Sequence, residues 1–285
     1  MTGREIRRQD ARTWTDGLTT VSIAADSLAP CGARLTTLHV TGFWKILLQE
    51  IERHRVFSFC VGSSRAIPAR KFRKQVIERP FIPLHWGANR PGMQAREELT
   101  GWRLGVAVRA WLWLRWVAVS VSWLLDHVGL HKQVANRLLE PWATVDMVVS
   151  ATEWTNFLQL RDHPDAQPEL RQVAAMIRYA LDSSVPAKLE AGQWHTPFVE
   201  EGIHPQVTSA ARCARASYHQ WAEKTCEDDR RLVAQLSAAT PKHLSPFEHV
   251  AQALEAPERC GNFVGFRQWR ADFVDEAGGD YANCA

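Results

Sequence analysis

The 285-residue chain has no GxxxxGK[ST] phosphate loop, no GxGxxG turn and no HExxH pair. It therefore carries none of the sequence marks of P-loop phosphoryl transfer, a Rossmann dinucleotide crevice or a zinc protease. Its six cysteines (Cys31, Cys60, Cys213, Cys226, Cys260 and Cys284) make no CxxC pair and are too sparse for a disulfide scaffold. Cys213, His219 and Cys226 lack the spacing of a zinc site, so no metal is expected. A net charge of +3 is too small for a nucleic-acid coat or a polybasic membrane patch, and neither partner is expected. Residues 1–14 hold no apolar run of the kind found in a secretory signal. With the ungrouped cysteines, this predicts a reducing, cytoplasmic setting. What remains is an ordinary globular composition, 46% apolar and 23% charged, long enough to bury a substantial core. Thirteen tryptophans are the unusual part.

The most informative stretch is ERHRVFSFCVGSSR, residues 52–65. Arg53, His54 and Arg55 are adjacent, and seven residues separate them from Ser63, Ser64 and Arg65. Consecutive residues on a helix are turned about 100° apart, so the triplet suits a helix end or turn from which side chains fan around one polyanion. Guanidinium groups grip phosphate or carboxylate with two parallel bonds, and the two serines add hydroxyl donors. An anion site is the expectation; a solvated basic run is the plain alternative.

Around this stretch, Thr20–Ala25 and Leu35–Val40 read as strands. Gly42 punctuates the second, and apolar residues at Phe43, Ile46, Leu47 and Ile51 predict a helix that delivers the triplet at its C-terminal end. Residues 80–94 (PFIPLHWGANRPGMQ) contain three prolines and two glycines and predict a long loop: a merely structural insertion, or a binding loop with Trp86, Asn89 and Gln94 as candidate binding groups. Leu104–Leu125 is apolar nearly all round and of membrane-spanning length, but Arg109 and Arg115 lie inside it. Burial in the core or between subunits is expected instead. His131–Pro141 reads as a helix stopped by proline, and Thr144–Leu160 as another long apolar segment. A further helix is expected from Pro168 to about Ala180, with Asp165 as a possible cap. Residues 183–207 read as a connector. Ser245-Pro246-Phe247-Glu248 has the pattern of a capping box: Ser at N-cap, Pro first, Glu three on.

Taken whole, RHR-x7-S resembles the signature of the flavin-dependent thymidylate synthases. A second, ordered match is similar to the C-terminal half of that family. Arg137 lies four before Pro141, Asn156-Phe157 precede Leu160-Arg161, and Ala166-Gln167 with Glu169 complete the pattern. Residues 211–218, 229–236 and 243–249 resemble the family's N-terminal half, and Arg267-Gln268-Trp269 reproduces its RQW triplet. The motif order is thus circularly rotated, as in a phage-like variant, which a fold with close, exposed termini tolerates.

The resemblance implies an α+β fold, long helices packed with an antiparallel sheet, in one domain over residues 34–285 after an N-terminal segment of residues 1–33. It also implies assembly as a homotetramer. It places Arg53, His54, Arg55, Asn156, His243, Ser245 and Glu248 toward FAD, and Glu50, Ser63, Ser64, Arg65, Arg137 and Arg161 toward a deoxypyrimidine nucleotide. Arg161 is the implied catalytic residue, contacting the pyrimidine ring and favouring ionisation at N3. The implied reaction is reductive methylation of dUMP at C5 to dTMP, with methylenetetrahydrofolate as carbon donor and NADPH as reductant. The same chemistry on dCMP, or nucleotide and flavin binding without turnover, are the alternatives. They are motivated by departures from the family pattern: Cys60 where asparagine is usual, Val61 where glutamate is usual, and Glu50 where a glutamine precedes RHR. Cys60 lies inside the signature loop, but free cysteines are more often small buried apolar residues than nucleophiles.

Overall fold

The computed structural model describes residues 4–199, 205–216, 218 and 224–273. His219, Cys284 and part of the expected connector lie outside the described residues. Alternating burial along Thr20–Leu28 makes it a strand with one face inward, as its branched and small residues favour. It belongs to an antiparallel sheet with strand order β1–β2–β3–β4–β6–β5. The strands are β1 (Arg7–Asp10), β2 (Thr13–Thr15), β3 (Thr20–Leu28), β4 (Arg34–Trp44), β5 (Ser58–Val61) and β6 (Thr144–Ala151). The first part of the chain, expected to be polar with a single strand, thus contributes three. The short β7 (Ala187–Lys188) adds to β3 in parallel.

Strand β4 runs through Gly42 instead of ending there. Gly42 takes a φ of +69°, and a Cβ there would fall 2.1 Å from the Leu18 carbonyl oxygen, so only glycine fits. The ladder to β6 slips between Val40 and Phe43, a bulge pinned by the Asp146 carboxylate on the Gly42 amide at 2.8 Å. Phe43 therefore pairs with Val145 in the sheet, and helix α1 is only Leu48–Glu52, following a 3-10 turn at Lys45–Leu47.

One sheet face is covered by α6 (Pro168–Ser183), whose Leu170, Val173, Ile177 and Leu181 pack with Val21, Leu38, Val40, Met147 and Val149. Each such side chain stabilises the fold by about 1.5–3 kcal/mol through burial. The α6 N-cap position is Gln167, not Asp165, which instead pairs with Arg96 at 2.6 Å. The other face carries α7 (Pro205–Ala216) and a small sheet of β8 (Trp194–His195), β9 (Ala251–Ala253) and β12 (Phe266–Gln268). Helix α8 (Cys226–Ala238) packs on α7, and the hairpin β10 (Arg259–Cys260) and β11 (Phe263–Val264) precedes β12. Two further segments split differently from expectation. His131–Pro141 is the short α4 (Lys132–Ala135) followed by a 3-10 segment, Asn136–Trp142, with Pro141 inside it. Thr144–Leu160 is strand β6 and then α5 (Thr155–Arg161).

A buried polar chain crosses between the two sheets. Ser27 Oγ meets His195 Nδ1 at 2.8 Å, His195 Nε2 meets Thr37 Oγ1 at 2.8 Å, Thr37 meets Ser150 Oγ at 2.6 Å, and Ser150 meets His249 Nδ1 at 2.8 Å. All five side chains are buried, and hydrogen bonding to one another is what makes that tolerable.

The apolar segment forms α3 (Gly101–His127), against α2 (Ala69–Glu78) and the Asn136–Trp142 turn. Trp111 is its anchor, touching Trp44, Trp86 and Trp142 and donating Nε1–H to the Phe81 carbonyl at 3.2 Å. The expectation of burial fails within one chain. Trp102, Trp113, Trp116 and Trp123 are exposed, because α3 meets the rest of the chain along one stripe only. By length and composition α3 could also cross a membrane.

Candidate active site

Helix α1 ends at Glu52, so Arg53, His54 and Arg55 leave it in a turn and fan out, as three adjacent residues must. The turn closes through the His54 amide on the Ile51 carbonyl and the Phe57 amide on the His54 carbonyl. His54 packs edge-on against Phe157 and beside Phe57. Burial first, and then the Arg161 cation, hold its pKa below the ordinary histidine value. The neutral ring accepts at Nε2 from Arg161 Nε–H at 3.3 Å.

Arg161, at the last turn of α5, is the hub of this cluster. Its second guanidinium nitrogen lies 3.2 Å from the Glu50 carbonyl and 3.2 Å from the Glu50 carboxylate. Residues 107 and 111 positions apart are thereby joined, and the guanidinium plane is fixed rather than left on a free stem. Glu50, His54 and Arg161 were each expected at the site, and the structure brings them together.

Glu50 and Arg161 line a groove of about 1090 Å³. Its opposite wall is the proline-rich loop, which contributes His85, Trp86, Met93, Gln94 and Arg96. The loop is ordered by internal bonds: Ala88 N–H to Glu97 O at 2.7 Å, Leu99 N–H to Trp86 O at 2.8 Å, and His85 Nδ1 to the Glu98 carboxylate at 3.1 Å. It is also tied down by the Glu169 carboxylate on the Leu84 amide at 2.7 Å. Trp86 and Gln94 reach the groove as expected; Asn89 is not among its lining residues.

The serine loop forms a second group. Ser64 is buried and donates to Glu140 Oε1 at 2.6 Å, and Arg137 donates to the same oxygen at 2.8 Å. Buried Lys45 sits 4.0 Å from that oxygen and donates to the Gly62 carbonyl at 3.3 Å. Burial pulls the Lys45 pKa below the usual lysine value, partly opposed by Glu140. The Ser63 amide donates to the Tyr218 hydroxyl at 3.2 Å. A cavity of about 400 Å³ opens here between Lys45, Ser64, Lys71, Asp146 and Tyr218. Lys45, Glu140 and Tyr218 are additions that no local pattern announces, except that Lys45 interrupts an apolar stripe.

The third group departs from expectation. Ser245–Glu248 is a 3-10 turn whose N-cap position is Leu244, with no side-chain cap bond. Glu248 does not reach back to an amide; it is ion-paired to Arg270. The turn nevertheless lies beside edge strand β5, through the Gln268 side chain, which bonds both Ser58 Oγ at 2.9 Å and the Glu248 carbonyl at 3.1 Å. His243 and Ser245 are exposed there, and Asn156 is exposed on α5, one turn before Arg161. Cys60 is buried against Val148, Cys213 and Ala216, an apolar setting rather than a reactive one.

A fixed arginine beside a neutral histidine thus lines a wide groove. Among the described residues no His, Cys, Asp and Glu cluster could hold a metal ion. The family model described as thymidylate synthase complementing protein matches residues 28–187. The chain belongs to this family and is a thymidylate synthase-like methyltransferase. The match spans β4, the RHR turn, the loop, α3 and Arg161. Among solved structures, a UMP/dUMP methylase PolB from Streptomyces cacaoi, bound with 5-Br dUMP, is 16% identical with a TM-score of 0.47. The alignment covers 57% of this chain and 89% of that one. Thymidylate Synthase X from Helicobacter pylori, with FAD and dUMP, is 19% identical with a TM-score of 0.35, over 52% and 67%. No curated protein sequence matches the chain.

Proposed function

We propose that the chain methylates dUMP reductively at C5, with FAD as cofactor, methylenetetrahydrofolate as carbon donor and NADPH as reductant. Membership of the family supports flavin-dependent methylation of dUMP. The observation that carries the reading to particular residues is the fixed Arg161–Glu50–His54 cluster in the large groove. Arg161 holds the pyrimidine and stabilises negative charge as it spreads through the ring, which lowers the barrier at C5.

The residues present fit a flavin dinucleotide. Arg53 makes only a 3.5 Å contact with Glu50, and Arg55 and Arg65 have no ion pair among the described residues. Guanidinium groups on one turn with at most a long carboxylate contact suit a diphosphate. Arg53 and Arg55 would hold it, with Asn156, His243, Ser245 and Glu248 as further contacts. Bound and reduced, the flavin supplies hydride. Ser63, Ser64, Arg65 and Arg137 would take the nucleotide phosphate. In one chain the Arg161 groove and the serine-loop cavity share no lining residue. A second copy therefore completes the site, and the exposed apolar side of α3 is the surface on which copies meet, as a cytoplasmic homotetramer outside any membrane.

One preparation tests this reading. The purified protein should carry non-covalent FAD, scatter light as a tetramer, and release tritium from [5-³H]dUMP when folate donor and NADPH are present. Release from labelled dCMP alone would transfer the assignment to that nucleotide, and release from neither would leave a binding protein. Arg53→Ala should weaken FAD binding by about 1.5–3 kcal/mol, the range for a charge-assisted hydrogen bond. Its exposed pair with Glu50 contributes little to folding, so the melting temperature should not move. Wild-type flavin affinity in this variant would remove the triplet from the cofactor site.

A further inference from the structure

Beside the Arg161 groove lies another cavity, of about 750 Å³, that none of the assigned residues enters. Arg4, Arg8, Arg171 and Arg178 line it, with Trp14 and Tyr179 as aromatic walls. Two of the four cations are balanced: Arg178 by Asp162 at 2.5 Å, and Arg4 by Asp16 at 3.7 Å. The other two are not. Arg8 stacks 5.6 Å over Trp14 and donates only to the carbonyls of Asp10 and Ala11. The Arg171 side chain makes no hydrogen bond or ion pair among the described residues. Gathering like charges in a concave, half-walled space is unfavourable unless an anion joins them, and such a space concentrates the field toward one. The cavity also adjoins the Arg161 groove, since Pro164, Ala166, Pro168 and Arg171 line both.

We infer that this cavity binds the oligoanionic tail of a co-substrate whose ring occupies the Arg161 groove, with Arg8 and Arg171 as its principal contacts. The recognised chemistry is two or more closely spaced anionic groups. These could be the carboxylates of an oligoglutamate tail or the phosphates of a nicotinamide dinucleotide. The inference extends the proposed function, but its test does not depend on turnover.

Isothermal titration of the holoprotein with γ-linked pentaglutamate, and separately with inorganic pyrophosphate, reads the cavity directly. Arg8→Gln/Arg171→Gln is the variant of choice, because both side chains are exposed and neither holds an ion pair, so folding is spared. At least one probe should bind the wild type, with affinity falling at higher salt, and should bind the double variant about tenfold or more weakly. Retained FAD absorbance and an unchanged melt would show the variant to be intact. Preference for pentaglutamate assigns the tail to a polycarboxylate, and preference for pyrophosphate assigns it to phosphates. Equal affinity in wild type and variant, or no binding of either probe at millimolar concentration, overturns the inference. Loss of tritium release with intact probe binding would count against the proposed reaction and leave this cavity standing.

Discussion

Arg161→Ala is expected to lower turnover by about 10²–10³-fold while FAD stays bound, the usual loss for one preorganised donor in an active site. The effect should fall on kcat, because in the proposed reaction Arg161 stabilises charge that develops in the ring as C5 becomes nucleophilic. Arg161 also bridges Glu50 and His54, so a purely structural role is the competing account. Arg161→Lys separates the two. It keeps the cation but cannot span both partners, so it should recover part of the rate if charge matters and none if only the bridge does. Cys60 supplies the contrast. It is 8% exposed in an apolar cluster, and Cys60→Ala removes a little packing. That variant should stay within a fewfold of wild type, where loss of an attacking thiolate would abolish turnover. A folded, flavin-bound Cys60→Ala protein with no activity would reverse the assignment, and a fully active Arg161→Ala protein would remove Arg161 from the chemistry.

The second large effect concerns acid. His195 and His249 are wholly buried in the polar chain between the sheets, and burial pushes the pKa of each down to about 3. A proton on His249 would find no help at Nε2, which has no partner among the described residues. Unfolded, both histidines titrate near the usual value of about 6.5. Their folded pKa is depressed, so the neutral form favours folding. The contribution is complete above about pH 6.5 and is lost as pH falls from there toward 3. Near pH 5 unfolding should take up about two protons at these sites, a slope of roughly 2.7 kcal/mol per pH unit. Between neutrality and pH 5 the loss is about 4 kcal/mol, a large share of a typical domain's stability of about 5–15 kcal/mol. Denaturant titrations at several pH values measure it. A flat profile from pH 7 to 5 would show that the pair is charged or solvated in the folded protein.

The elements that sequence reveals here are those whose signals are local. The α6 helix announced itself by Pro168 and a 3.6-residue apolar stripe, and the RHR turn by three adjacent cationic or titratable residues that no single helix face can hold. The misread elements share a different trait. Phe43, Ile46, Leu47 and Ile51 fit a helical period, yet Phe43 is held in β4 by a bulge that depends on Leu18 and Asp146 far along the chain. Thr144–Ala151 is a strand buried on both faces over most of its length, so its residues do not alternate cleanly and the segment merges with the helix beyond. The site follows the same division. Glu50, His54 and Arg161 could be named from motifs, but the wall formed by Trp86 and Gln94 depends on Glu169 and Trp142, which pin the start of the loop from far along the chain. Lys45 and Glu140 join the serine loop through contacts that sequence order does not foretell.

The position of β5 has a consequence for how the chain is made. This edge strand carries the segment just after the RHR turn, and its start is held by the side chains of Asn262, on the Phe57 carbonyl, and Gln268, the latter 210 residues downstream of its partner Ser58. During synthesis, β4, β5 and β6 can pair long before those two residues leave the ribosome. Until then the signature strand is an open edge with unpaired amides and carbonyls, the feature that invites association with another chain. Closure of so distant a contact is slow by its loop entropy. A contact made 210 residues downstream thus reaches β5 only after β4, β5 and β6 have all been made, which leaves the half-built chain open to association along this edge.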